Sequence, residues 1–468
     1  MTFRVAALCC AGLLYNGLSV PAKAVPNEQQ VTSVRRSLSD WIKADTSNPP
    51  GNEARVVKMI AGRLQQAQIP YEIVAFAPGR ENIVARLKGS GPDKPLLLLA
   101  HLDVVGTKDQ AWTSPPHVLT EHDGYLVGRG VSDDLGMAAI NLEVFLALKA
   151  DGKPLRRDVI LALTGDEESG GAGIRLLLDK YPQLVDAGIA LNEGASVTLG
   201  DDGKVAYVGM QTAEKNYADF TVTATGPTGH SSVPPVDTAI FTLAKALVKI
   251  NELAMPAHLL PVTRAYFTEQ AAFTSGEEQA AMRALVAAPN DHQLPEAALA
   301  VLEQDPLTKA NLRTTCVATL ISGGTKENAL PPSATAMINC RILPDETVNQ
   351  VRRRLVSAID NPEVTVNVIH DYGVPKTSPV DGEVAVALRA VTKQLYPGVP
   401  LLPVMSRGAT DSRYLRRAGI LAYGIGPIAM SELDGKRAHG INERIPAASI
   451  GPGLEFMRRL VDHLAVAR

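Results

Sequence analysis

Five short stretches carry most of the chemistry in this sequence. In "LLLLAHLDVV" an apolar run ends in His101 and Asp103. "GRGVSDDLG" sets two adjacent acids, Asp133 and Asp134, in a glycine-bounded turn. "LALTGDEESGG" closes another apolar run with Asp166, Glu167 and Glu168; "LNEGA" offers Glu193, and "AHGINE" adds His439 far along the chain. Singly, each has a structural account. His101 and Asp103 could be a satisfied core pair, and one Asp of the doublet could cap a helix. Together, four strand ends supply His, Asp, Glu and Glu, and a distant loop supplies a second His. Carboxylates crowded at one sheet edge repel one another unless a cation neutralises them. Two histidines and three carboxylates suit two Zn2+ ions, with one carboxylate bridging. An acid beside a ligating imidazole can orient its ring. His117, His122, His258, His292, His370 and His463 are read as solvent-facing or ordinarily hydrogen-bonded.

For these residues to meet, the apolar runs must be neighbours in one sheet. In a parallel α/β sheet, ligands bind at the carboxyl ends of the strands. Residues 28–70 carry helical periodicity, broken by "TSNPPGN". From residue 71, "ENIVARLKG", "KPLLLLAHLDVV", "RDVILALTGDEE" and "AGIALNEGA" read as strands, with "GMAAINLEVFLALKAD" and "GAGIRLLLDKY" as helices among them. That alternation predicts an α/β layer with a largely parallel sheet. From about residue 214 the order becomes β-α-β-β-α-β, which predicts a ferredoxin-like domain, interrupted at 255–312 by an Ala-rich helical insertion. After residue 373 the α/β pattern resumes, so the second domain is inserted into the first. The predicted division is 25–213 and 373–468 for the α/β domain and 214–372 for the inserted one.

HLDVV, GRGVSDD, TGDEESGG, NEG, GPTGHSS, GGTKENALPP and HGINE, in this order, resemble the co-catalytic zinc exopeptidase and deacylase family over roughly residues 35–465. That family includes glutamate carboxypeptidases, carnosinase-like dipeptidases, acetylornithine deacetylase, succinyl-diaminopimelate desuccinylase and aminoacylase. The stretch from "LNEGA" to "GPTGHSSVPP", with the helical insertion, is most similar to the carboxypeptidase S-like branch. The resemblance implies a zinc-exopeptidase catalytic domain, a ferredoxin-like lid, and two Zn2+ per chain for which Co2+ or Mn2+ can substitute. It implies that His101 binds one ion and His439 the other, that Asp133 bridges them, and that Glu168 and Glu193 each complete one site. The Asp133–Asp134 bond is expected to be cis. Asp103 would orient His101 and Glu167 would be the general base. His230, in "GPTGHSS", would donate to the oxyanion, with a turn histidine as the alternative. Asn328, Arg341 and Arg413 would hold the substrate's carboxylate or carbonyl, with surface or structural arginines as the alternative. The chain departs from the family in having Leu135 where a Lys commonly follows the double Asp; that position ligates no metal. Some relatives dimerise through the lid and bring this histidine across from the partner, while others enlarge the lid and act as monomers. The insertion suits either arrangement.

Composition narrows the function classes. The chain has 468 residues, 46% hydrophobic and 20% charged, with a net charge of -3. No Lys/Arg-rich run gives an electrostatic case for nucleic acid. "MTFRVAALCCAGLLYNGLSVPAKA" has Arg4, a short apolar run and a small-x-small site, which predicts a signal peptide at 1–24 cleaved after Ala24, and a secreted or periplasmic protein with no membrane span after cleavage. Cys316 and Cys340 could be a disulfide in an oxidising compartment or two buried thiols. Three functions follow: an exopeptidase acting on short peptides as a carboxypeptidase or dipeptidase, an N-acyl-amino-acid deacylase with the same machinery, and, from another class, a non-catalytic binding module on a decayed fold. The last predicts lost ligands, whereas every expected ligand and Glu167 are present. Export favours peptide scavenging over biosynthesis.

Overall fold

The computed structural model describes residues 28–371, 373 and 376–467; the expected signal peptide lies outside them. Helix α1 (Glu28–Ala44) leads to α2 (Ala54–Gln66), then to strands β1 (Tyr71–Ala77), β2 (Arg80–Leu87) and β3 (Asp93–His101). Helix α3 (Leu135–Asp151), β4 (Arg157–Thr164), α4 (Ala172–Lys180), β5 (Ile189–Asn192), β6 (Val197–Leu199) and β7 (Val205–Glu214) complete the first segment. The chain then passes through β8 (Asn216–Thr225), α5 (Ala239–Glu252), the four short helices α6 (Pro261–Gln270), α7 (Gly276–Val286), α8 (Glu296–Leu302) and α9 (Pro306–Leu312), β9 (Thr315–Gly323), β10 (Ser333–Ile342), α10 (Val348–Ile359) and β11 (Val364–Asp371). It returns with α11 (Glu383–Leu395), β12 (Leu401–Ser406), α12 (Ser412–Arg417), β13 (Leu421–Gly424), β14 (Met430–Ser431) and α13 (Ile450–Ala465).

The large sheet runs β1-β2-β4-β3-β5-β13-β7-β6-β14, with β12 also on β7. Its centre, β4-β3-β5-β13, is parallel. Both faces of β3 are covered, so its apolar run does not alternate with polar residues. Leu96, Leu98 and Ala100 pack into the cluster with Leu38 and Trp41 of α1, Ile140 and Phe145 of α3, and Leu460 of α13. Leu97 and Leu99 face the other way, onto Ile174 and Leu177 of α4 and Leu415 of α12. Helix α3 is buried along most of its length, as expected for a helix that is apolar all round.

The small sheet has the order β9-β10-β8-β11 and is antiparallel throughout, as the β-α-β-β-α-β order requires. Strands β8 and β10 alternate buried and half-buried residues, because one face packs on α5 and α10. Thr347 starts α10 with a capping box to Gln350. Cys316 and Cys340 are paired across β9 and β10 as a disulfide. The helices of the insertion share their own core of Phe267, Met282, Leu285, Leu302 and Leu312. At the junction between the two sheets, the buried Lys215 ammonium donates to the carbonyls of Ala310 and Arg313. Burial, with Arg407 and Arg341 nearby, pushes its pKa down to about 7.

Candidate metal centre

The carboxyl ends of β3, β4 and β5 lie side by side, and each releases its acids just past the last paired residue. β3 ends at His101, β4 at Thr164 before Gly165-Asp166-Glu167-Glu168, and β5 at Asn192 before Glu193. The loop before α3 brings Asp133, whose peptide bond to Asp134 is cis. His101 Nε2 is 3.0 Å from Asp133 Oδ1 and 3.8 Å from Glu193 Oε1. His439 Nε2 is 3.1 Å from Asp133 Oδ2 and 3.0 Å from Glu168 Oε2. The side chains fall into two triples, His101–Asp133–Glu193 and Asp133–Glu168–His439, and one ligand atom from each member lies within 4.8 Å of the others. Asp133 belongs to both and turns a different oxygen to each histidine.

Electrostatics mark the same spot. Burial pushes Glu193 and Glu167 well above the usual carboxyl range, and neighbouring acids add to it. Against the cost of burial, the hydrogen bond to Asp133 and the charges of Glu193, Asp133 and Glu167 raise the His101 pKa well above its ordinary value. Hydrogen bonds to Asp133 and Glu168 raise His439 to about 10. Among the described residues, Glu168 Oε1 is buried with no hydrogen-bond partner, an orphan that a divalent cation would satisfy. The donor set, two imidazoles and three carboxylates, fits a pair of divalent transition-metal ions.

Asp103 departs from the role expected of its carboxylate. His101 Nδ1 donates to the Asp103 backbone carbonyl at 2.8 Å, whereas Asp103 Oδ1 is 3.7 Å away, beyond hydrogen-bond reach. β3 has ended at His101, so the two-residue alternation that would set both side chains on one face no longer holds. The carbonyl fixes the ring tautomer and leaves Nε2 to face the ligand cluster. The Asp103 carboxylate instead accepts from the amides of Glu167 and Glu168 and from Asn48 Nδ2. It therefore aims the acidic turn rather than the imidazole. Asp166 completes that turn: with φ 71° it accepts from Arg80, Asn48 and the Ala172 amide. The Arg80 guanidinium is shared with the fully buried Glu53.

Sequence reading passed over two further acids. Glu443, the last residue of "HGINE", is buried and accepts from the amides of Gly130, Ser132 and Asp133 and from the Ser132 hydroxyl. Arg129 neutralises it at 2.7 Å and also donates to the Gly440 carbonyl. One carboxylate thus ties the Asp133 loop to the loop that carries His439. Asp411, in "GATDSR", accepts from Thr164 at the end of β4, and burial pushes its pKa up to about 7. Both lie inside quoted motifs, and only their distant partners reveal what they do.

The remaining candidates lie on other elements. His230 is exposed, on a two-residue strand paired with Ala329–Leu330, and its Nδ1 accepts from the Ser232 amide. For a neutral ring this places the proton on Nε2. Asn328 lies beside it, its carbonyl accepting from Ser231. Arg341, half-buried, stacks on Tyr217 and reaches the Arg407 carbonyl at 3.4 Å. Arg413 stacks on Tyr414 and donates to its hydroxyl. The structure gathers His101, Asp103, Asp133, Glu167, Glu168, Glu193 and His439 at one edge, while the hydrogen bonds of His230 and Asn328 stay within the lid. Beside the ligand cluster, a cavity of about 440 Å3 is lined by Glu193, Met137, Ile428, Met430 and Arg407, among others.

A family model described as peptidase family M20/M25/M40 matches residues 97–463. The probable carboxypeptidase S-like 2 of Dictyostelium discoideum is 30% identical over 79% of this chain and 71% of its own length. The N-fatty-acyl-amino acid synthase/hydrolase PM20D1 of Xenopus tropicalis is 28% identical over 96% of this chain and 85% of its own. Among solved structures, the M20 family metallo-carboxypeptidase Sso-CP2 of Sulfolobus solfataricus shares the fold, with a TM-score of 0.68 at 18% identity over 92% of this chain and 98% of that one.

Proposed function

The chain belongs to peptidase family M20/M25/M40, and on that premise we propose that it is an exported dinuclear zinc exopeptidase for short peptides with a free terminal carboxylate. It is a metal-dependent hydrolase of amide bonds. The observation that carries the reading is Asp133, shared between two complete triples of ligand atoms. His101 and Glu193 would hold one ion, His439 and Glu168 the other, and Asp133 both. Ions held by these residues would supply acidified water and polarisation of an amide carbonyl.

The remaining work falls to this chain's own side chains. Glu167, next to a ligand but not one itself, takes the proton of the attacking water on its carboxylate and passes it to the leaving amine nitrogen. Asp103 holds the Glu167 and Glu168 amides, so base and ligand keep a fixed spacing. His230, with its proton on Nε2, donates to the developing oxyanion when the lid meets the sheet edge. Arg341, Arg413 and Asn328 receive the substrate's carboxylate or carbonyl, for which a guanidinium fork is suited.

The Cys316–Cys340 disulfide supports export, since such bonds persist in oxidising compartments. Exposed Val317, Leu320 and Ile321 on β9, with Ile240 and Phe241 on α5, support a lid-to-lid homodimer; a monomer by sedimentation at micromolar concentration would remove that part. A second reading, hydrolysis of N-acyl amino acids, is favoured by the name of the Xenopus relative and by Met137, Ile428 and Met430 beside Glu193, which suit an apolar acyl group. A panel of dipeptides, C-terminally amidated dipeptides and N-acyl amino acids tests both, with and without prior chelation. Free dipeptides should be cleaved and chelated enzyme should be inactive until zinc is returned. Equal cleavage of amidated and free dipeptides would sink the carboxylate recognition, and preference for N-acyl substrates would move the assignment to the second reading.

A further inference from the structure

Two histidines that sequence reading set aside meet a carboxylate that belongs to neither triple at the sheet edge. His258 precedes α6, His292 lies in the loop between α7 and α8, and Asp345 follows β10 of the lid sheet. His258 Nδ1 is 2.8 Å from Asp345 Oδ2. The His292 ring meets the His258 ring edge-on, with centroids 4.4 Å apart. One nitrogen from each ring and one carboxylate oxygen lie within 4.8 Å of one another. Zinc at about 2.0–2.1 Å from such atoms spaces tetrahedral ligands by roughly 3.3–3.4 Å, so small side-chain rotations close the set.

We propose that His258, His292 and Asp345 form a third divalent-metal site, of the zinc class, that staples the helical insertion to the lid sheet. Backbone contacts already place the two histidine stretches. His258 donates its amide to the Leu312 carbonyl, Ala257 bridges Arg313, and Leu259 donates to the Asp291 carbonyl, which sets His292 next to His258. Arg264 pairs with Asp291 and fixes the same loop from the other side. His258 is 8% exposed, so its ring is oriented before any ion arrives. A simple His258–Asp345 pair accounts for two of these residues but gives the second imidazole no part. An ion takes all three and leaves a fourth position for water. Because the ligands come from three separate stretches, binding stabilises the folded arrangement of the insertion. Neutral imidazole and carboxylate donors select zinc over calcium or magnesium.

Zinc content of the full-length protein, reconstituted with Zn2+ and freed of excess, tests the proposal. Wild type is expected to hold about three ions per chain and His292→Ala about two, the change expected on losing one ligand of a three-ligand site. His122→Ala, on an exposed histidine elsewhere, should match wild type. The double variant Glu168→Gln/His439→Ala should lose zinc from the sheet edge yet still lose about one further ion on adding His292→Ala. That separates failure of this site from failure of the dinuclear one. Equal zinc in wild type and His292→Ala overturns the proposal. Asp345→Asn provides a second variant, and unchanged zinc there overturns it equally.

Discussion

Asp133 at the sheet edge is held from several sides: its amide is bound by Glu443, its neighbour Asp134 accepts from the His101 amide, and its two oxygens face two histidines. His230 on the lid is exposed, and its ring is bound to Ser232 two residues away. The same contrast runs through both regions. At the edge, acids are arranged by buried or half-buried partners brought from across the chain: Glu443 by Arg129, Asp103 by Asn48, Asp166 by Arg80. On the lid, His230 is exposed and bonded to Ser232, and half-buried Arg341 stacks on Tyr217. A metal centre tolerates little displacement, because crowded carboxylates and a fixed base need rigid placement. A lid that captured substrate would have to approach and withdraw, which an exposed side chain such as His230 would permit.

Perturbing each region should separate the two plans. Glu167→Gln, at the rigid edge, should lower kcat by about 10^2–10^4-fold while zinc content and melting temperature stay unchanged; near-normal turnover would remove the base assignment. Glu443→Ala should cost about 3–5 kcal/mol of stability, because it leaves the buried Arg129 without its counter-charge, and zinc content should fall with it. Unchanged zinc there would mean that the Asp133 loop does not depend on this carboxylate. His230→Ala, on the lid, should lower kcat/KM by about 10^2–10^3-fold with no change in stability or metal. If it melted early instead, the histidine would be structural and the contrast between the regions would fail. The smallest effect belongs to the disulfide: Cys316→Ser with Cys340→Ser should lower stability by about 2–4 kcal/mol, with metal content at the edge untouched.

Much of this was legible locally. Apolar runs ending in acids mark the carboxyl ends of buried parallel strands, because a doubly covered strand must be apolar up to the edge where it meets water. The β-α-β-β-α-β order leads to the antiparallel β9-β10-β8-β11 sheet because short connections and strand sense restrict the arrangement. The residue types at the sheet edge followed from what a divalent cation binds.

What the sequence by itself determined, then, is which residues stand at the ends of which elements, since periodicity and strand length are properties of neighbours in the chain. The tertiary structure decided what those residues touch. It turned the Asp103 carbonyl, not its carboxylate, toward His101. It gave Asp166 the turn, set Glu443 under an amide 310 positions earlier, paired Cys316 with Cys340, and brought His258, His292 and Asp345 together. Hydrogen bonds, ion pairs and ligand sets depend on distances of a few ångströms between segments that the chain order keeps far apart, and the packing of two sheets sets those distances.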